Sequence, residues 1–193
     1  MQRILRILFI IGAAANAWLA LAYLIFVVDA GSRPMFDLRV MATCVLLLVA
    51  PGLVFIPLAR ALKVSIYEIE GIGGWAVFGF VLTFVTPSDV LSRSEFLIFL
   101  LPLTVVIATI ATPIAYAFGR RVYRDDPRRH DFLRARRQGY LVALVLVALF
   151  LLNSIQVLSA VNGVLLVVIA ILCEVFMLSR GRPLPAPPVP AGR

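Results

Sequence analysis

The chain has 193 residues, 62% of them hydrophobic and 15% charged, with a mean hydropathy of +1.03 and a net charge of +8. Soluble domains are about 45–50% apolar and about 25% charged, so this composition excludes an ordinary water-soluble globule. One histidine and two cysteines (Cys44 and Cys173, each inside an apolar run) give no basis for a metal centre, a disulfide framework or a bound cofactor.

A helix needs about 20 apolar residues to cross a hydrocarbon core of about 30 Å, and helices satisfy their own backbone there. Six runs meet that requirement. The first is Ile4 to Val28. Arg3, Arg6 and Ala15-Asn16-Ala17 imitate a signal peptide, but the apolar run continues through Trp18 to Val28, so it reads as a span. Gly12, Asn16 and Ala20 fall on one helical stripe of small residues, the kind that lets two helices approach closely.

The second run, about Val40 to Ala59, contains Pro51 and Pro57. The third, about Ser65 to Val85, is the shortest in its uninterrupted apolar part and begins with Glu68 and Glu70. Gly71 and Gly74 make it thin, which again predicts helix packing. Two residues apart, Glu68 and Glu70 face different sides of a helix and do not form a paired-carboxylate site.

The fourth run, Phe96 to Phe118, contains Pro102 and Pro113. Each proline lacks an N–H and displaces the carbonyl four residues earlier; for Pro113 that carbonyl belongs to Thr109. Thr109, Thr112, Pro113 and Tyr116 share one face. Such a face either lines a cavity, as broken helices do in transporters, or is a packing feature whose freed carbonyl finds another donor.

The segment 119–137 carries Arg120, Arg121, Arg124, Arg128, Arg129, Arg134, Arg136 and Arg137. Its expected role is contact with anionic lipid headgroups rather than with nucleic acid. The fifth and sixth runs, about Tyr140 to Leu158 and Val161 to Leu178, are joined by a short turn containing Asn162-Gly163 and read as a hairpin. Asn153, Gln156, Ser159 and Asn162 are expected to fasten that turn. Glu174 lies six residues before Arg180, or about 9 Å along a helix. After Arg182 the sequence is Pro-rich and non-helical.

The expected organisation is therefore a four-span region 1–118, a basic loop 119–137, a two-span hairpin 138–180 and a disordered tail 181–193. The fold class is all-α, a polytopic transmembrane bundle. Of the 18 Lys and Arg residues, 15 fall on the side of the N-terminus if all six runs cross, and only Arg33, Arg39 and Arg93 on the other. The positive-inside rule then predicts cytoplasmic termini. Seventeen of these cations are arginine, which hints at a bacterial source and hence a bacterial cytoplasmic membrane.

No phosphate-binding loop, dinucleotide fingerprint, zinc-binding His pair or nucleophile elbow is present, so no catalytic residue is assigned. An ionisable residue within a span is the default candidate for function. Here these are Glu68, Glu70 and Glu174, with Thr109, Thr112 and Tyr116 as polar neighbours and Arg60, Lys63, Arg120 or Arg121 as expected ion partners. Three functional readings follow: a non-enzymatic accessory or scaffold subunit in a homo- or hetero-oligomer, a small-solute or ion transporter, and a membrane enzyme acting on lipid headgroups.

Overall fold

The computed structural model describes residues 2–85, 93–122 and 131–180. Within them the chain forms six α-helices and no strand: α1 Gln2–Phe26, α2 Leu38–Leu62, α3 Ser65–Phe84, α4 Arg93–Val122, α5 Phe132–Ser154 and α6 Ala160–Arg180. All six are long and apolar enough to cross a membrane; α3 is the least apolar. The tail 181–193 and Arg124, Arg128 and Arg129 lie outside the described residues.

The helix ends follow from local chemistry. Asp37 caps α2: its carboxylate accepts the Arg39 N–H at 2.9 Å, which fixes the turn out of the short 3-10 segment at Ala30–Ser32. At the other end Lys63 takes the left-handed conformation (φ 59°), and the Val64 N–H reaches the Ala59 carbonyl at 3.0 Å. That tight reversal sends the chain straight into α3. Asp131 caps α5, accepting the Arg134 N–H at 3.0 Å.

The cap at Asp131 accounts for one departure from expectation. α5 starts eight residues before the apolar run does, so Arg134, Arg136 and Arg137 are helical rather than part of a loop. Arginine is a good helix former, and hydropathy alone does not register that. α4 likewise continues through Arg120 and Arg121 to Val122.

The chain divides into two compact units, Met1–Val147 and Ala148–Arg193. In the first, α2 packs between α1 and α3, and α3 packs against α4. Glycines on α3 make this possible on two sides. A side chain at Gly71 would overlap the Phe55 ring of α2, and one at Gly74 would stand in Val105 of α4. Two clusters form the interior. One holds Phe55, Ala59, Tyr67 and Phe132; the other holds Leu21, Leu47 and Ala50 beside Trp18. Trp18 and Trp75 meet edge to face at 5.1 Å.

In the second unit the turn between α5 and α6 is held by its own polar groups. The Ser159 hydroxyl accepts the Asn162 N–H at 3.2 Å, and the Asn162 amide donates to the Val157 carbonyl at 2.9 Å. Gln156, left-handed at φ 58°, donates both its backbone and side-chain N–H groups to the Asn153 carbonyl. No residue of the α6 span is buried.

Candidate functional site

The polar residues of the first unit gather where the start of α3, the later half of α4 and the start of α5 meet. Tyr67 is the centre. It is 1% exposed, and its hydroxyl donates to the Thr109 carbonyl of α4 at 2.6 Å. This is the carbonyl that Pro113 leaves without a helical donor. In an apolar interior such a group must find a substitute, and the phenol supplies it. The Tyr67 ring stands edge-on to Phe55 and to Phe132, at 5.7 and 5.9 Å between centroids, and Tyr116 leans on Phe132 at 6.1 Å. Phe132, the first residue of α5, thereby ties that helix to α3 and α4.

One turn along α3 from Tyr67, Glu70 forms a two-point ion pair with Arg136 of α5. Nη2 meets Oε1, and Nε donates to Oε2 at 3.2 Å. The side chains are 18% and 33% exposed, so the pair is largely withdrawn from solvent. Arg136 also stands over the Tyr140 ring, one helical turn on, at 5.8 Å. The partner of Glu70 is thus Arg136, not Arg60, Lys63, Arg120 or Arg121.

The remaining predicted residues fall as follows. Glu68 is half-buried in the first turn of α3, where a negative charge complements the helix dipole. The Thr109 hydroxyl donates to Val106 and that of Thr112 to Ala108, each within α4, so their protons turn back onto the backbone. Arg120 and Arg121 are exposed at the end of α4, and Arg137 is half-buried. Arg134 is only 4% exposed and lays its guanidinium against Gly119, where a side chain would displace it. Glu174 belongs to the second unit. On α1, Asn16 donates to its own Gly12 carbonyl at 2.8 Å; Asn16 and Ala20 are exposed and Gly12 has open space beside it.

Sequence reasoning did not single out Tyr67, Gly139 or Tyr140. Gly139 brings α5 onto α4: a Cβ there would come within 2.9 Å of the Thr112 amide nitrogen. One signal pointed to Tyr67. The orphan Thr109 carbonyl required a donor, and Tyr67 shares a helix face with Glu70 at i, i+3.

Two pockets adjoin the helices of this unit. One, of about 490 Å³, runs along α2 between Ile10 of α1 and Ile72 of α3; the other, of about 210 Å³, lies between Trp18, Leu47, Pro51 and Trp75. Both are walled almost wholly by apolar side chains, and Glu70, Thr109, Thr112 and Tyr116 line neither. The Trp75 indole N–H is buried with no acceptor among the described residues. No group of His, Cys, Asp or Glu side chains among the described residues is arranged to hold a metal ion.

No protein-family model, curated protein or solved structure matches the chain.

Proposed function

We propose that this is a multi-pass membrane protein acting as a non-enzymatic accessory or scaffold subunit. One observation carries the reading. The polar groups at the centre of the α3–α4–α5 layer are taken up within the protein: Glu70 by Arg136, the Thr109 carbonyl by Tyr67, and the Thr109 and Thr112 hydroxyls by their own helix. A site that binds or transforms a solute keeps donors and acceptors turned toward open space. Here they fasten helices instead. The exposed apolar side chains of α1 support the same reading, because such a surface suits lipid or a neighbouring subunit.

The orientation that accompanies it puts both termini and the segment 119–137 in the cytoplasm, from the 15-to-3 distribution of Lys and Arg. The excess of arginine over lysine, 17 to 1, supports placing the chain in a bacterial cytoplasmic membrane. Arg120 and Arg121, exposed at the end of α4, would meet anionic headgroups.

Purification of the full chain in mild detergent tests the subunit role. Light scattering, corrected for bound detergent, and mass spectrometry of stoichiometric components give the readout. The expected result is a defined oligomer or a stoichiometric partner. A strict monomer with neither contradicts it.

A second reading, a membrane enzyme acting on lipid headgroups, has one observation in its favour: an acid and an arginine within hydrogen-bond reach near one end of the bundle. It requires the Glu70–Arg136 pair to open to substrate. The transporter reading draws on the prolines of α2 and α4, but the pockets described beside α2 are apolar.

A further inference from the structure

The larger pocket is a groove open along one side of the first unit. Its length is set by α2, whose residues from Leu48 to Arg60 line it. Twelve residues of helix rise about 18 Å. Half of a bilayer's hydrocarbon core is about 15 Å. The groove is therefore about one leaflet deep. Gly52 and Pro57 lie along it with Ile10 and Ile72 facing across, so its walls are hydrocarbon. The absence of a side chain at Gly52 opens the groove, and a Cβ there would sit in ordinary contact with Ile72 at 3.9 Å.

The charge is at one end only. Arg60 closes the groove in the last turn of α2 and is exposed, with no ion pair among the described residues. Arg6, also exposed, stands one turn before Ile10 on the same face of α1. Because α1 and α2 are consecutive and packed together, the start of α1, which carries Arg6, lies toward the same end of the unit as Arg60. A hydrocarbon slot one leaflet deep with cations at its headgroup end is complementary to an anionic phospholipid.

We infer that this groove is a binding site for an anionic phospholipid, with one acyl chain along Leu48 to Pro57 and the phosphate on Arg60 and Arg6. The inference rests on the membrane reading above. It is distinct from headgroup contact at the 119–137 segment, because α1, α2 and Ile72 of α3 build the site.

Native mass spectrometry of the full, delipidated chain tests it, with phosphatidylglycerol and phosphatidylcholine of identical acyl chains as the added lipids. The first bound phosphatidylglycerol should be retained about fivefold better than phosphatidylcholine, and Arg60→Gln should lower its affinity by about fivefold. Gly52→Leu, which fills the groove, should abolish the preference, while Arg39→Gln, at the opposite end of α2, leaves it intact. Arg60→Gln removes no packing, so the test survives if Gly52→Leu does not fold. Equal retention of the two lipids, or a preference unchanged by Arg60→Gln, overturns the site. A chain that alkaline carbonate extracts from membranes overturns the membrane reading itself, which distinguishes the two failures.

Discussion

Tyr67 donates its phenolic hydrogen to the Thr109 carbonyl across two helices, 42 residues apart in sequence and 2.6 Å apart in space. The bond exists because Pro113 occupies the position that would otherwise supply the donor. A helix-disrupting proline and a buried tyrosine therefore form one structural unit. That unit sets where α3 sits on α4.

Removing the hydroxyl alone should be costly. Tyr67→Phe keeps the ring contacts with Phe55 and Phe132 but strands a buried carbonyl, at about 1–2 kcal/mol. Pro113→Ala restores the helical N–H, so Tyr67→Phe in that background should cost distinctly less. Thermal unfolding of the four proteins in one detergent gives the double-mutant cycle. Additive losses would mean that the two residues are independent.

The ion pair between α3 and α5 makes a similar claim. Arg136→Gln leaves Glu70 without its partner in a largely withdrawn position, and Glu70→Gln does the reverse. Each should destabilise by about 1–3 kcal/mol, between the values for exposed and fully buried pairs. The double variant should recover part of the loss, since neither charge is then stranded. If the double variant is as unstable as the sum of the two, the pair contributes nothing specific.

The glycines separate into two classes that substitution can tell apart. Gly139→Ala places a methyl against the Thr112 backbone, which cannot move aside cheaply, and should cost about 1–3 kcal/mol. Gly73→Ala points into open space and should be neutral or stabilising by up to about 1 kcal/mol through helix propensity. Melting temperatures in detergent check both; the reverse order would contradict the α4–α5 approach.

Asp37 gives the account a pH dependence. The Arg39 N–H that its carboxylate accepts holds its pKa below the ordinary value of 3.8, with Arg33 and Arg39 adding to the effect. A lowered folded-state value means that the capping contribution is complete above the unfolded value and is lost as pH falls through the lower folded one. NMR titration of the Asp37 carboxyl should show a midpoint below 3.8. Asp37→Asn should keep the cap acceptor and remove the titration.

Six helices were legible because membrane helices announce themselves by uninterrupted apolar length. The vacancy at the Thr109 carbonyl was legible too, since Pro113 dictates it. Its occupant was legible only in part: Tyr67 shares a helix face with Glu70, but it lies on another helix and no local rule pairs that helix with α4. The same holds for Glu70. Its i, i+3 and i+4 surroundings say nothing of Arg136, 66 residues away. The early start of α5 was hidden for a different reason: Arg134, Arg136 and Arg137 read as loop by hydropathy, yet they favour helix and follow an Asp131 cap. The small-residue stripe of α1 shows the converse limit. Gly12, Asn16 and Ala20 share a face by spacing, but spacing does not say what that face touches.

The proposed topology, six crossings with cytoplasmic termini, is directly measurable. In a chain carrying Cys44→Ala and Cys173→Ala, single replacements Ser32→Cys and Arg121→Cys place a thiol between α1 and α2 and at the end of α4. Labelling of intact cells with a membrane-impermeant maleimide should modify Ser32→Cys, whereas Arg121→Cys should react only after permeabilisation. Labelling of Arg121→Cys in intact cells would contradict the account.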